Sequence, residues 1–259
     1  MNQTDFTLEA YKDYLQAIKK GYSQILTFAE LMAMPEQPAQ FCCIRHDVDR
    51  RPQCALRMAS LEAELGIRAT YYFRAKSCSW DEVLVQEIAL MGHEIGYHYE
   101  NLSDTNGDFS LAYGDFVKNL ENFRKVVPIE TISMHGRPLK PYDNRDLWRT
   151  DEGQSRLKEL SILGEVYLNI DYSSVAYVTD TGRNWSQSKS NRRDTVMSAV
   201  SASFTSGEEL LRYLTDRPSD KLVFQIHPER WSADYLEHVA QFGRDSFINF
   251  AKLIASRVA

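Results

Sequence analysis

Two aspartates one residue apart, Asp47 and Asp49, are the part of this sequence best placed to do chemistry. They close the stretch Arg45-His46-Asp47-Val48-Asp49, which follows the apolar run Phe41-Cys42-Cys43-Ile44. Alternation along an extended chain sends both carboxylates to one side and Val48 to the other. Two carboxylates aimed at one point repel unless a cation or a shared proton intervenes, and a divalent metal satisfies both. Five of the six histidines, His46, His93, His98, His135 and His227, also stand where strands are expected to end. His238 falls instead in a helix-like stretch. Imidazole and carboxylate together are the ligands expected for zinc or a similar first-row ion.

The elements that must carry these groups alternate. An apolar run that stops at a cluster of charge reads as a buried parallel strand delivering side chains at its C-terminal end, where ligands sit in α/β sheets. After the aspartates, Cys54, Met58, Leu61 and Leu65 recur at helical spacing, with Pro52 suited to the first turn and Gly66 to the stop. Ala69–Phe73 is rich in strand formers. A helix follows over about Trp80–Met91, then a turn at Gly92 and the segment 93–100. Phe109–Val126 reads as helix and Thr131–Met134 as strand, ending at His135-Gly136-Arg137-Pro138. Such regular alternation means parallel pairing through right-handed crossovers, an α/β fold. Beyond Arg149 the pattern loosens. Strand-like pieces remain at Glu165–Tyr172, Val175–Thr179 and Leu222–His227, a last helix is expected over about Tyr235–Val258, and Asn184–Arg193 is a loop or lid candidate. Residues 1–40, with helical spacing over Leu8–Met34 broken at Gly21, read as a helical extension packed on a main domain at 41–259.

The chain has 259 residues, enough apolar material (43%) for a sizeable core, and a formal charge of −6. That charge argues against nucleic acid or an anionic membrane as main partner. No secretory signal and no apolar run of the roughly 18 residues needed to span a bilayer are visible. Four cysteines, two of them adjacent in a buried-looking strand, suit a reduced, cytoplasmic protein that uses thiols as small hydrophobes.

Arg45–Asp49, Gly92–His98 (the phrase Gly-His-Glu-Ile-Gly-x-His) and Phe224–His227 resemble the first, second and last motifs of the polysaccharide deacetylase, or NodB-homology, family. The resemblance extends from about Phe41 to His227. It implies a distorted (β/α) barrel of about seven parallel strands and a hydrolase that removes N- or O-acyl groups from sugars, or hydrolyses related amides, with one divalent metal. Zinc is expected, with nickel or cobalt as alternatives. By the same resemblance Asp47 is the general base, Asp49 and His98 are metal ligands, and His227 is the acid that protonates the leaving amine. Such a division is physically sound, since a metal lowers the pKa of its water and a histidine can hold the proton the nitrogen needs.

One family position differs. The third ligand normally lies four residues after the first histidine, and here that residue is Leu102. His135 and Glu100 are the two replacements. His135 is preferred because its strand end should converge on the barrel mouth, whereas Glu100 can instead orient a ligand histidine. Arg137, beside Pro138, matches the arginine that steers the base and would pair with Asp47. Arg183 and Trp185, on the loop that opens at Asp180, and Trp231 after the last strand are candidates for a sugar-binding wall. Asp171 is a candidate partner for His227. The substrate is expected to be a small molecule or glycan, in a cytoplasmic setting a nucleotide-linked or lipid-linked sugar. The alternative is a non-catalytic carbohydrate-binding or scaffold relative, which Leu102 favours.

Overall fold

The computed structural model describes residues 5–137, 139–185, 193–216 and 219–233. The expected helix at Tyr235–Val258, His238 and the middle of the 184–193 loop lie outside the described residues.

The chain opens with α1 (Leu8–Gly21), capped by the Thr7 hydroxyl. A two-residue strand β1 (Ile25–Leu26) and a short helix α2 (Phe28–Ala33) follow. Thr27 and Glu30 start α2 with a reciprocal capping box, which satisfies donors that the first turn leaves open. Next come β2 (Phe41–Val48), α3 (Pro52–Glu64), β3 (Thr70–Phe73), α4 (Glu82–Leu90) and β4 (Glu94–Tyr99). A single turn α5 (Asn101–Asp104), α6 (Phe109–Arg124) and β5 (Thr131–Met134) complete the regular half. The second half holds α7 (Asp151–Glu159), β6 (Gly164–Glu165), β7 (Ala176–Thr179), α8 (Gly207–Asp216) and β8 (Lys221–Ile226).

Seven strands pair in the order β6-β5-β4-β3-β2-β8-β7, with β1 beside β2, and every pairing is parallel. The strip curls. Phe41, Cys43, Tyr72 and Val223 from its middle share one buried cluster with Val166, Ile170 and Tyr177 from its two ends. Among the described residues the ends are joined by side chains, the Tyr167 and Tyr177 hydroxyls lying 3.4 Å apart. The result is a distorted (β/α) barrel of seven parallel strands. Phe41, Cys43, Arg45 and Asp47 alternate inward along β2. Cys42, Ile44 and Val48 face outward into the layer under the helices.

Three readings of the sequence are corrected. Of the strand expected over Glu165–Tyr172, only Gly164–Glu165 pairs with β5, because the Leu168 and Asn169 amides turn back onto the Glu165 carbonyl. Helices α7 and α8 had no counterpart in the apolar pattern. Only Gly153 and Leu157 of α7 are buried, too few to show a period. Finally, the N-terminal segment contributes a strand as well as helices, since β1 runs beside the first half of β2 where β3 has not yet begun.

Candidate metal centre

The register of the sheet determines which groups meet at the barrel mouth. Arg45 stands opposite Gln225 and Gln225 opposite Thr179, so these three side chains form a row across β2, β8 and β7. Asp47 lies one inward position further along β2. Arg45 grips it with both guanidinium arms, Nε to Oδ1 at 2.8 Å and Nη2 to Oδ2 at 2.7 Å. Gln225 adds a bond from its amide nitrogen to Oδ2 at 2.9 Å, and its own carbonyl accepts from Thr179. Burial alone would push the Asp47 carboxyl up. The charges of Arg45, His98 and His227, with the Arg45 hydrogen bonds, outweigh burial and hold it below the ordinary value. The buried guanidinium lies over the Tyr167 ring at 4.6 Å, a cation–π contact that compensates part of its lost hydration.

Asp49 follows the last residue of β2 and turns toward two histidines. The Asp49 Oδ1 atom lies 3.5 Å from His98 Nε2 and 3.4 Å from His135 Nε2. Each imidazole is fixed through its other nitrogen. His98 Nδ1 donates to the Ser133 carbonyl at 3.0 Å, and His135 Nδ1 to Glu100 Oε2 at 2.8 Å. Both rings therefore present an Nε2 lone pair to the same point. The three donor atoms lie within 4.8 Å of one another. A tetrahedral ion with bonds of about 2.0–2.1 Å separates its ligand atoms by roughly 3.3–3.4 Å, close to the two distances from Asp49. Asp49 Oδ1 is buried and accepts no hydrogen bond. A buried carboxylate oxygen without a hydrogen bond, facing two imidazole nitrogens, makes a donor set that fits a divalent metal.

Of the two replacements for Leu102, the one whose donor joins Asp49 and His98 is His135. Glu100 sits behind it. One of its oxygens accepts from Arg74 at 2.7 Å and the other from His135, an arrangement that holds the imidazole's orientation. The charges and hydrogen bonds of His135 and Arg74 overcome burial and take the Glu100 carboxyl down to about 2. Leu102 itself, a residue of α5, is buried in the core.

His227 ends β8 on the opposite side of Asp47. Its Nδ1 donates to Asp180 Oδ1 at 2.6 Å, and its backbone amide also bonds that carboxylate. Trp231 Nε1 at 3.0 Å and Arg230 at 3.2 Å converge on the same buried Asp180. Burial and the Arg230 charge act to lower the His227 pKa, yet Asp180 prevails and holds it above the ordinary value. The Gln225 amide nitrogen is 3.5 Å from His227 Nε2 and thus stands between that imidazole and Asp47.

Several assignments made on sequence change. The pairing with Asp47 assigned to Arg137 is made by Arg45, and Arg137 approaches Glu100 and Asp104 instead. The partner of His227 is Asp180, not Asp171, which is exposed and accepts from the Ser173 amide. Trp185 and Trp231 do not form a wall of the mouth. Trp185 stacks on Phe6 and Phe224, Trp231 is buried beside Tyr11, and Arg183 lies over Phe6. These aromatics serve the layer under α1, because the apolar faces of α1 and β8 must cover each other. Arg45 and Gln225 were missed, although each lies two residues from a candidate on the same strand, the spacing that shares a face.

No protein-family model and no curated protein matches the chain. Its structure is similar to solved members of the CE4, or polysaccharide deacetylase, family. A CE4 esterase from Streptococcus mutans is 14% identical, with a TM-score of 0.49, over 92% of this chain and 90% of that one. A CE4 family pseudoenzyme from Bacillus anthracis is 10% identical, with a TM-score of 0.42, over 80% of this chain and 60% of its own. The CE4 domain of a multidomain xylanase from the hindgut metagenome of Trinervitermes trinervoides is 13% identical, with a TM-score of 0.41, over 79% and 82%. The barrel assignment rests on the strand order itself. Among the described residues no helix is long and apolar enough to cross a membrane.

Proposed function

We propose that this protein is a metal-dependent hydrolase that removes an acyl group, acetyl above all, from an amino sugar or a related small amide. The observation that carries the reading is the convergence of Asp49, His98 and His135 beside a carboxylate held ionised and a histidine held by a buried aspartate. Two imidazoles and one carboxylate suit zinc, with nickel or cobalt able to substitute. Such an ion supplies Lewis acidity that makes an attacking water more acidic and polarises an acyl carbonyl.

The protein's own groups divide the proton transfers. Asp47, oriented by Arg45 and Gln225, accepts a proton from the attacking water. His227 carries a proton on the side of the mouth opposite the histidine ligands and delivers it to the nitrogen as the carbon–nitrogen bond breaks. Asp180 fixes the tautomer that leaves Nε2 facing the substrate and stabilises the imidazolium. Water and amide thus become carboxylic acid and amine, with one proton taken and one returned, and the pair leaves as carboxylate and ammonium near neutral pH. We place the protein in the cytoplasm, where a small activated sugar is a better substrate than a finished polymer.

A second reading, a non-catalytic carbohydrate binder, draws on one observation: both Asp47 oxygens are already occupied by Arg45 and Gln225, which weakens it as a base. Acetate release from a panel of N-acetylated sugars, with zinc-loaded wild type and Asp47→Asn, separates the two. Turnover abolished in the variant supports hydrolysis. Equal sugar binding by both proteins with no acetate from either establishes the binder.

A further inference from the structure

Beside the candidate metal centre, the loops after β3 and β5 carry four cations, three of which approach two carboxylates. Arg74 and Lys76 come from one loop, Arg137 and Lys140 from the other. Their acidic partners, leaving aside Asp49 of the centre, are Glu100 and Asp104. Arg74 is committed to structure, bonding Glu100 at 2.7 Å and the Asp49 carbonyl at 3.0 Å. The other three are differently placed. Lys76 reaches Asp104 at 2.6 Å but is 37% exposed along its side chain. Arg137 is 32% exposed and stops 3.4 Å from Glu100 and 3.5 Å from Asp104, hydrogen-bonded to neither. Lys140 donates to a neutral partner, Asn106 Oδ1, at 2.8 Å. Arg74, Lys76 and Arg137 against Glu100 and Asp104 leave an excess of one positive charge, and Lys140 adds a cation with a neutral partner, in a chain whose overall formal charge is −6.

The loop that presents Arg137 is held in an unfavourable shape. Arg137 has φ of 39°, a left-handed backbone that residues with side chains seldom adopt. Arg193 braces the loop by donating to the carbonyls of Gly136 and Lys140, both at 2.6 Å. Glu100 then links patch and centre, since the oxygen that accepts from His135 is the one Arg137 approaches. A group docked on Arg137, with Lys76 across Asp104 and Lys140 on the same turn as Arg137, therefore sits next to the ligand histidine.

We propose that these three residues bind a phosphate group of the substrate. Resting on the function proposed above, this makes the substrate an acylated amino sugar that carries phosphate. An arginine fork with two flanking ammonium groups matches the several oxygens of a phosphate, and a neutral glycan has no use for surplus positive charge.

The test measures binding by calorimetry to the full-length, zinc-loaded Asp47→Asn protein. N-Acetylglucosamine, its 1-phosphate and its uridine diphosphate conjugate are compared. The phosphorylated ligands should bind more tightly than the neutral sugar by at least about tenfold. That preference should largely disappear in Arg137→Gln and, separately, in Lys76→Met, both at partly exposed positions, with unchanged circular dichroism and zinc content. Whichever phosphorylated ligand binds tighter identifies a sugar phosphate or a nucleotide-linked sugar as the source. Equal affinity for neutral and phosphorylated sugars overturns the proposal, as does a preference that survives both substitutions, which would assign it to the metal. Turnover by the wild type keeps the two ideas apart. Phosphate preference without acetate release retains the anion site and rejects the hydrolase, while equal release from neutral and phosphorylated sugars does the reverse.

Discussion

At the scale of single residues, Asp49, His135 and Glu100 can be told apart by what each loses. Asp49→Ala and His135→Ala remove donor atoms, so both proteins should retain little zinc after dialysis, measured by elemental analysis. Glu100→Gln removes only the carboxylate that fixes His135 Nδ1, and should weaken zinc affinity by about 10–100-fold. Near-complete zinc loss in Glu100→Gln with full retention in His135→Ala would reverse the two roles. Asp180→Asn should leave zinc bound but cut kcat by at least about 100-fold, because the histidine loses both its tautomer and its counter-charge. Steady-state acetate release reads that loss, and an unchanged kcat would exclude His227 as the acid. Arg45→Met leaves the Asp47 charge buried and unpaired, at a cost of about 3–5 kcal/mol in denaturant unfolding.

At the scale of elements, β2 carries a second polar cluster on its outer face. Glu62 of α3, fully buried, accepts from His46 at 2.6 Å, from Tyr71 at 2.6 Å and from Tyr11 of α1. His93 is locked nearby, accepting from the Ala69 amide and bonding the Ala59 carbonyl. One carboxylate thus ties α1, α3, β2 and β3 together. Burial opposes its ionisation, but the His46 charge and hydrogen bond, the His93 charge and the Tyr11 hydroxyl prevail and lower its pKa. Because the folded pKa is lower than the unfolded one, the stabilisation is complete above the ordinary carboxylate range and is lost as pH falls through the folded value. Glu62→Gln should cost about 3–5 kcal/mol at pH 7 and lose less stability than wild type on acidification below about pH 5. Urea unfolding at several pH values checks both, and parallel pH profiles would refute the role. In β4, Gly96 lets Tyr72 lie across the strand, where a Cβ would run into the ring. Gly96→Ala should destabilise by about 1–3 kcal/mol in the same assay.

At the scale of the whole molecule, residues 5–33 are part of the barrel's wall. Tyr11, Leu15 and Ile18 are wholly buried against the outer layer, β1 pairs with β2, the Leu8 amide donates to the Ser232 carbonyl after β8, and the Ser232 amide donates to the Phe6 carbonyl. A chain lacking residues 1–26 should therefore fail to give a cooperative unfolding transition, by calorimetry, instead of behaving as a trimmed domain. Leu15→Ala, a gentler version, should cost about 2–5 kcal/mol.

The local pattern was enough for the regular half of the fold. Runs such as Phe41–Ile44 and Ala69–Phe73, separated by helical periods and stopped at Gly66 and Gly92, specify alternating elements because period and turn chemistry are properties of short stretches. It also placed Asp47, Asp49, His98 and His135 at strand ends, since where a strand stops is local too. Partners are another matter. Arg45 lies two residues from Asp47, yet the bond depends on which inward side chains β8 and β7 set beside it. Asp180 and His227, 47 residues apart, meet because β7 and β8 are neighbours in register. Trp185 and Trp231 carry the residue types of a sugar platform and were drawn into the core by the faces of α1 and β8. Which groups end in the mouth is thus determined by the sequences at the ends of β2, β4, β5 and β8. Which of them are gripped, oriented or hidden is decided by strand order and register, because charge and hydrogen-bond energies act over a few ångströms and only the closed sheet brings distant stretches that close.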